Sequence, residues 1–200
     1  LWGAFVGLMI AMLLMSAWAQ NRSNSAMARA LEEVVEIEGR ISTAIRWRGA
    51  TETAVTMAMG SAVTTDAVLA EQYGARAKQI SEEVTKLQKD VVAATIAEDE
   101  KPALAAVMAA RQAVLDGTAK TWELKGAGDG VATQAYVDDQ LAPAVTRYFK
   151  AQDDFVKVLE QHRDQVRKDA FSKRVEYALW GLLAAAALFV VGMALAWRLV

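Results

Sequence analysis

Residues 178–197 read ALWGLLAAAALFVVGMALAW and residues 1–19 read LWGAFVGLMIAMLLMSAWA, and neither stretch carries a charge. Each is about 20 residues long, which at a helical rise of about 1.5 Å per residue matches the roughly 30 Å hydrocarbon core of a bilayer. The two stretches bracket a polar middle. Transmembrane helices are therefore expected over 1–19 and 178–198, with a water-facing domain over 20–177. Two spans place both ends of the chain on one side of a membrane and the middle on the other. Arg22, Lys173 and Arg174 flank the spans on the outer side of this arrangement and Arg198 on the inner side, so basic residues say little about orientation. Ala17-Trp18-Ala19 before Gln20 offers a rival reading as the cleavage site of a secretory signal, but the apolar run exceeds the roughly 15 residues of a signal core.

The chain is 54% hydrophobic and 23% charged over 200 residues, and the apolar excess is concentrated at its ends. The polar middle, about 155 residues, has the size of one domain. A net charge of −2 with no basic face excludes nucleic acid as a partner. The absence of cysteine removes disulfides, thiol catalysis and Cys-ligated zinc. The single histidine, His162, supplies neither a metal site nor a catalytic triad, and the glycines at 126, 128 and 130 follow no strand and precede no lysine, so they form a loop and not a phosphate cradle. No enzyme, cofactor or metal is expected.

The middle holds only two prolines, Pro102 and Pro143, so long helices are expected. Apolar residues step by three and four along four segments. The first seam is Leu31, Val34, Glu38, Ile41, Ile45, Arg48, Glu52, Val55, Met59 and Ala62, ending near residues 61–65. The second is Leu69, Tyr73, Arg76 or Ala77, Ile80, Val84, Leu87 and Val91. It stops before Glu98, Asp99 and Glu100, which read as a turn and as favourable charge at the start of a helix opening on Pro102. The third is Leu104, Met108, Arg111, Leu115, Thr118 and Trp122. The fourth is Leu141, Val145, Tyr148, Gln152, Phe155, Leu159, His162 and Val166, with Asp138 and Asp139 in its first turn and Pro143 marking a kink or its start. Short connections favour antiparallel neighbours, so the expected fold is all-α: an antiparallel up-down-up-down four-helix bundle whose first and last helices continue into the two transmembrane helices.

Polar residues interrupt these seams at one height. Arg48, Arg111 and Tyr148 each lie about 15 residues from the end of the bundle distal to the membrane, or about 20 Å at helical rise. One reading is an internal ion-pair network, with Glu52 neutralising Arg48 at the i, i+4 spacing. The other is a pocket for a small organic anion, in which Arg48, Arg76 and Arg111 supply charge and Thr51, Tyr73, Tyr148 and Gln152 supply neutral hydrogen bonds. Trp47 reads as an interface residue and His162 as structural.

This layout resembles the sensory half of a methyl-accepting chemotaxis protein, a bacterial chemoreceptor with a four-helix-bundle ligand-binding domain. The resemblance rests on the span ending at Trp18-Ala19-Gln20, on Arg46 and Arg48 toward the distal end of the first helix, on AGDGV at 127–131 followed by LAPAVTRYF at 141–149, and on Ala196-Trp197-Arg198 as an exit toward a HAMP linker. It implies a homodimer in the bacterial inner membrane with its central domain in the periplasm. It also implies a ligand held by first-helix residues such as Arg48 and Thr51 with polar groups of the fourth helix. Asp138 and Asp139 stand where a family member binding amino-acid carboxylates between subunits would keep neutral groups, which favours a pocket within one bundle and an organic acid such as malate or citrate. Displacement of the last helix would then carry the signal through the lipid bilayer to a cytoplasmic signalling module C-terminal to Val200. The sensor of a histidine kinase or cyclase, and a structural bundle that binds no small molecule, are the alternatives.

Overall fold

The computed structural model describes residues 2–198. Leu1, where the first expected span begins, lies outside the described residues. Within them the chain has no strand and runs as α1 Trp2–Val63, α2 Ala67–Ala94, α3 Lys101–Gly126, α4 Gly130–Tyr136, a π-helical turn Val137–Leu141 and α5 Ala142–Arg198. Since α4, the π turn and α5 follow without interruption, there are four helical runs, as the spacing of breakers indicated.

The breaks have local causes. Asp66 caps α2, its carboxylate accepting from the amides of Val68 at 2.9 Å and Leu69 at 3.0 Å. Pro102 occupies the first turn of α3, where a missing N–H is harmless. Gly128, at φ +77°, takes the left-handed conformation that ends α3, and Asp129 then caps α4 through the Ala132 amide at 2.9 Å. The fourth run therefore starts at Gly130, a decade earlier than its apolar seam indicated. Pro143 lacks an N–H and its ring crowds the carbonyl four residues back, and the wider π turn immediately before it, closed by the Ala142 amide on the Val137 carbonyl, relieves that conflict. Asp138 and Asp139 lie in the first turn of this π-helical segment, inside the fourth run and not at its start, and Asp138 accepts from Gln134 at 2.9 Å.

The chain divides into two units. The first, Leu1–Glu36 with Arg163–Val200, is covered in exposed apolar side chains: Leu13, Leu14, Leu182, Leu183 and Phe189 are each more than half exposed. Trp18, Tyr177 and Trp180 line a groove of about 670 Å³ within it, and the Arg22 guanidinium lies 5.7 Å from the Trp18 ring. The helical run Gly130–Ala194 contains a window long and apolar enough to cross a membrane, none of it buried. It is the one such run among the described residues, so the N-terminal stretch does not add a second there.

The second unit, Ile37–His162, has a conventional buried core. On α2 the buried residues are Ala77, Ile80, Val84, Leu87 and Val91, and on the last run Leu141, Val145, Tyr148, Gln152, Phe155 and Leu159 are buried as their periodicity indicated, joined by Thr133, Val137 and Ala144. The other two seams are turned by about one residue. The buried face of α1 is Ile37, Ile41, Ala44, Trp47, Thr51, Ala54, Ser61 and Ala62, whereas Leu31 and Ile45 are exposed. On α3 it is Val107, Val114, Gly117 and Thr121, whereas Leu115 and Trp122 are largely exposed. Small residues contribute to both corrected seams, Ala44, Ala54, Ser61 and Ala62 on α1 and Gly117 and Thr121 on α3. A Cβ on Gly117 would meet Leu141 Cδ1 at 3.1 Å, so the glycine sets how nearly α3 approaches the π turn.

Candidate functional site

The turn of α1 by one residue decides which polar groups are buried. Arg48 and Glu52 move from the seam to its edge, and Trp47 and Thr51 take their place in the core. Thr51 on α1 meets Gln152 on α5, whose Nε2 donates to Thr51 Oγ1 at a long 3.4 Å. Tyr148 is one turn away on the same face of α5. All four side chains, Trp47, Thr51, Tyr148 and Gln152, are at least 98% buried.

Three polar atoms of this layer have no hydrogen-bond partner: Trp47 Nε1, the Tyr148 hydroxyl and Gln152 Oε1. An unpaired buried polar group costs about 1–3 kcal/mol, so three in one place is an unusual concentration. Burial pushes the Tyr148 phenol above its usual 10.0, while the nearby Thr51 hydroxyl and the positive charge of Arg111 pull it back. Thr51 is thus close to the phenol without completing a hydrogen bond of good geometry. Arg111, half-buried on α3, brings a positive charge to bear on this layer. A cavity of about 120 Å³, lined by Ala54, Ala58, Val114 and Leu141 among others, lies about one helical turn along α1 and α3 from Thr51 and Arg111.

The remaining expected site residues go elsewhere. Arg48 pairs with Glu52 at 2.6 Å and with Asp153 at 3.2 Å, and its guanidinium stacks over the Phe149 ring at 4.1 Å. Its charge is therefore matched twice over. Arg76 is exposed and donates to Gln79 at 2.7 Å; it lines an open groove in which Arg46, Arg76 and Lys86 face Glu82, Glu83 and Asp90, so the charges there cancel. Tyr73 packs against Gly60, where an added Cβ would meet its ring at 3.1 Å. Gly60 is nine residues beyond Thr51, about 13 Å along α1. Of the seven expected residues the structure brings together Thr51, Arg111, Tyr148 and Gln152, and sets Arg48, Tyr73 and Arg76 apart.

A second polar cluster was not anticipated. Glu100, wholly buried in the connection before α3, accepts a contact from His162 Nδ1 at 2.7 Å on Oε1 and forms an ion pair with Arg40 through the same oxygen. The Arg40 contact is one of charge, without hydrogen-bond alignment at Nη2, and Glu100 Oε2 has no partner. Glu98 behaves as expected of a turn carboxylate, exposed and paired with Lys101. The seam of the last helix already placed His162 inward, but its partner was hidden because nothing in a three-acid run tells which carboxylate the turn folds in.

No protein-family model matches this chain, and no curated protein matches it either.

Proposed function

We propose that the chain is the sensing portion of a transmembrane chemoreceptor, built as an antiparallel up-down-up-down four-helix bundle flanked by two membrane spans, that binds a small extracellular organic anion. The observation that carries this reading is the buried layer in which Trp47 Nε1, the Tyr148 hydroxyl and Gln152 Oε1 lack partners beside the charge of Arg111. A ligand offering a carboxylate to Arg111 and oxygens to the indole and phenol donors would satisfy all but the Gln152 carbonyl, which a ligand hydroxyl would meet. A hydroxylated di- or tricarboxylate has these groups. The cavity of about 120 Å³ lies next along the helices and is lined by none of Trp47, Thr51, Arg111, Tyr148 and Gln152, so the ligand would occupy the layer itself and be of a few carbons, well below the roughly 300–1,000 Å³ of drug-sized sites. Tyr148 and Gln152 lie on α5, the helix that also carries the apolar stretch, so ligand occupancy and the lipid-facing segment share one element. Homodimerisation in a bacterial inner membrane and output to a cytoplasmic signalling module complete the proposal.

The test is a thermal-shift panel of organic acids and amino acids on the purified chain in detergent, followed by variants. A hit at 100 times its dissociation constant adds about 2.7 kcal/mol of stability. Arg111→Ala and Gln152→Leu should each abolish the shift, whereas Arg76→Ala should leave it intact. A panel without any hit would favour the structural bundle. A hit untouched by Arg111→Ala would remove the layer as its site.

A further inference from the structure

We propose that Asp99, Glu100 and His162 form a binding site for a divalent transition-metal ion of the zinc class, which ties the connection between α2 and α3 to α5. Each of the three residues offers a ligand atom, and these atoms lie within 4.8 Å of one another. That spacing lets one ion reach all three once side-chain rotations close the gap, since metal–ligand bonds of about 2.0–2.2 Å place ligand atoms roughly 3.3–3.6 Å apart around a tetrahedral ion.

Glu100 points to a ligand in its own right. It is wholly buried, and its Oε2 has no partner although its Oε1 is shared by Arg40 and His162. A carboxylate oxygen left bare in the interior is costly, and here the neighbouring cations crowd onto the other oxygen. An ion on Oε2 would use that lone pair while Arg40 kept Oε1, which is the arrangement by which an outer partner orients a metal-bound carboxylate. Asp99 is exposed and opens the site to solvent, so an ion can enter without unfolding the core.

The donor set selects the metal. One imidazole nitrogen with two carboxylate oxygens suits zinc and its neighbours, whereas magnesium and calcium take oxygen ligands and leave an imidazole unused. Three protein ligands leave a fourth tetrahedral position for water. Binding requires the His162 lone pair at the ligating nitrogen: if that nitrogen is Nδ1, its present contact with Glu100 is exchanged for the metal and the ring proton resides on Nε2. Glu100 meets His162 and also pairs with Arg40 from α1, and the exposed Asp99 belongs to the same cluster.

This site is about 16 Å along α1 from Thr51, counted from Arg40, so its failure would leave the anion reading untouched. The experiment titrates Zn²⁺, Co²⁺ and Mg²⁺ into the full chain in detergent, followed by calorimetry and, for Co²⁺, visible absorption. Zn²⁺ should bind at one equivalent, Co²⁺ should develop the absorption of a low-coordinate site, and Mg²⁺ should do neither. His162→Gln and Asp99→Asn, both changes to groups with solvent access, should each weaken Zn²⁺ binding, and His162→Gln should abolish the Co²⁺ band while helical circular dichroism is retained. The assignment is overturned by an absence of Zn²⁺ binding in the unaltered chain, by binding that survives both substitutions together, or by an equal response to Mg²⁺.

Discussion

The Tyr148 hydroxyl is the single group whose removal distinguishes a ligand site from a packing accident. It is buried and unpartnered, so Tyr148→Phe discards an unsatisfied donor and should raise the melting stability of the ligand-free chain by about 1 kcal/mol. If an organic anion uses that hydroxyl, the same change weakens its binding, and the two effects have opposite signs. Alkaline pH gives an independent reading. The folded phenol holds its proton above 10.0, more tightly than the unfolded one, so stability should fall as pH rises beyond 10.0 and continue to fall until the folded phenol also ionises. Tyr148→Phe should flatten that decline in a denaturant series taken between neutral pH and pH above 10. Glu100 behaves differently at the same scale. Glu100→Gln leaves the Arg40 guanidinium, largely buried, without its counter-charge and should cost about 3–5 kcal/mol by chemical denaturation. Tyr148 and Gln152 were legible as misfits in an apolar seam, because a phenol and an amide at heptad positions are conspicuous. Glu100 was not, because burial of a turn carboxylate depends on partners far away in sequence.

Among the elements, the last helix and α2 could be phased from large apolar residues, and α1 and α3 could not. Ile45, Val55 and Met59 on α1 outweigh Ala44, Ala54 and Ser61 in any reading by hydrophobicity, yet it is the small residues that are buried, in line with Ile37, Ile41 and Trp47. Close helix approach favours short side chains at the contact, and hydropathy is blind to this. The π turn was equally invisible as such, although Pro143 was its signal: a proline that does not end a helix has to be accommodated by the turn before it. Glycine substitutions test the phasing. Gly49 on α1 is exposed and has nothing near a built Cβ, so Gly49→Ala should stabilise by about 1 kcal/mol through helix propensity alone. Gly117→Ala gains the same propensity but places its methyl 3.1 Å from Leu141 Cδ1, a side chain itself buried against α3, and should return little or none of it. Equal gains at both positions in thermal unfolding would mean that α3 is free to move off the π turn.

For the molecule as a whole, the decisive property is the amount of apolar surface left uncovered. A soluble chain rarely exposes a contiguous apolar patch beyond a few hundred Å². Here Leu13, Leu14, Trp18, Leu182, Leu183, Phe189 and Val190 are all more than half exposed within one unit, a surface that lipid would cover in the proposed membrane arrangement. Trp18, Tyr177 and Trp180 stand close in sequence to Arg22 and Arg174, as aromatic and basic residues do where a span meets the headgroups. Inserting Arg at Ala187, midway along the apolar stretch, should cost about 2.5–3.5 kcal/mol of insertion and lower the membrane-bound fraction of the expressed chain. Topology can be read with the same preparation, because the sequence contains no cysteine and any introduced thiol is unique. Single cysteines at Ser25 and Ala127 should react with a membrane-impermeant maleimide applied from the outer side of spheroplasts, and a cysteine at Arg198 should react only after permeabilisation. Labelling of all three from outside would contradict two spans with the domain between them. Protection of Ser25→Cys alone would indicate that the membrane-embedded N-terminal stretch extends beyond residues 1–19.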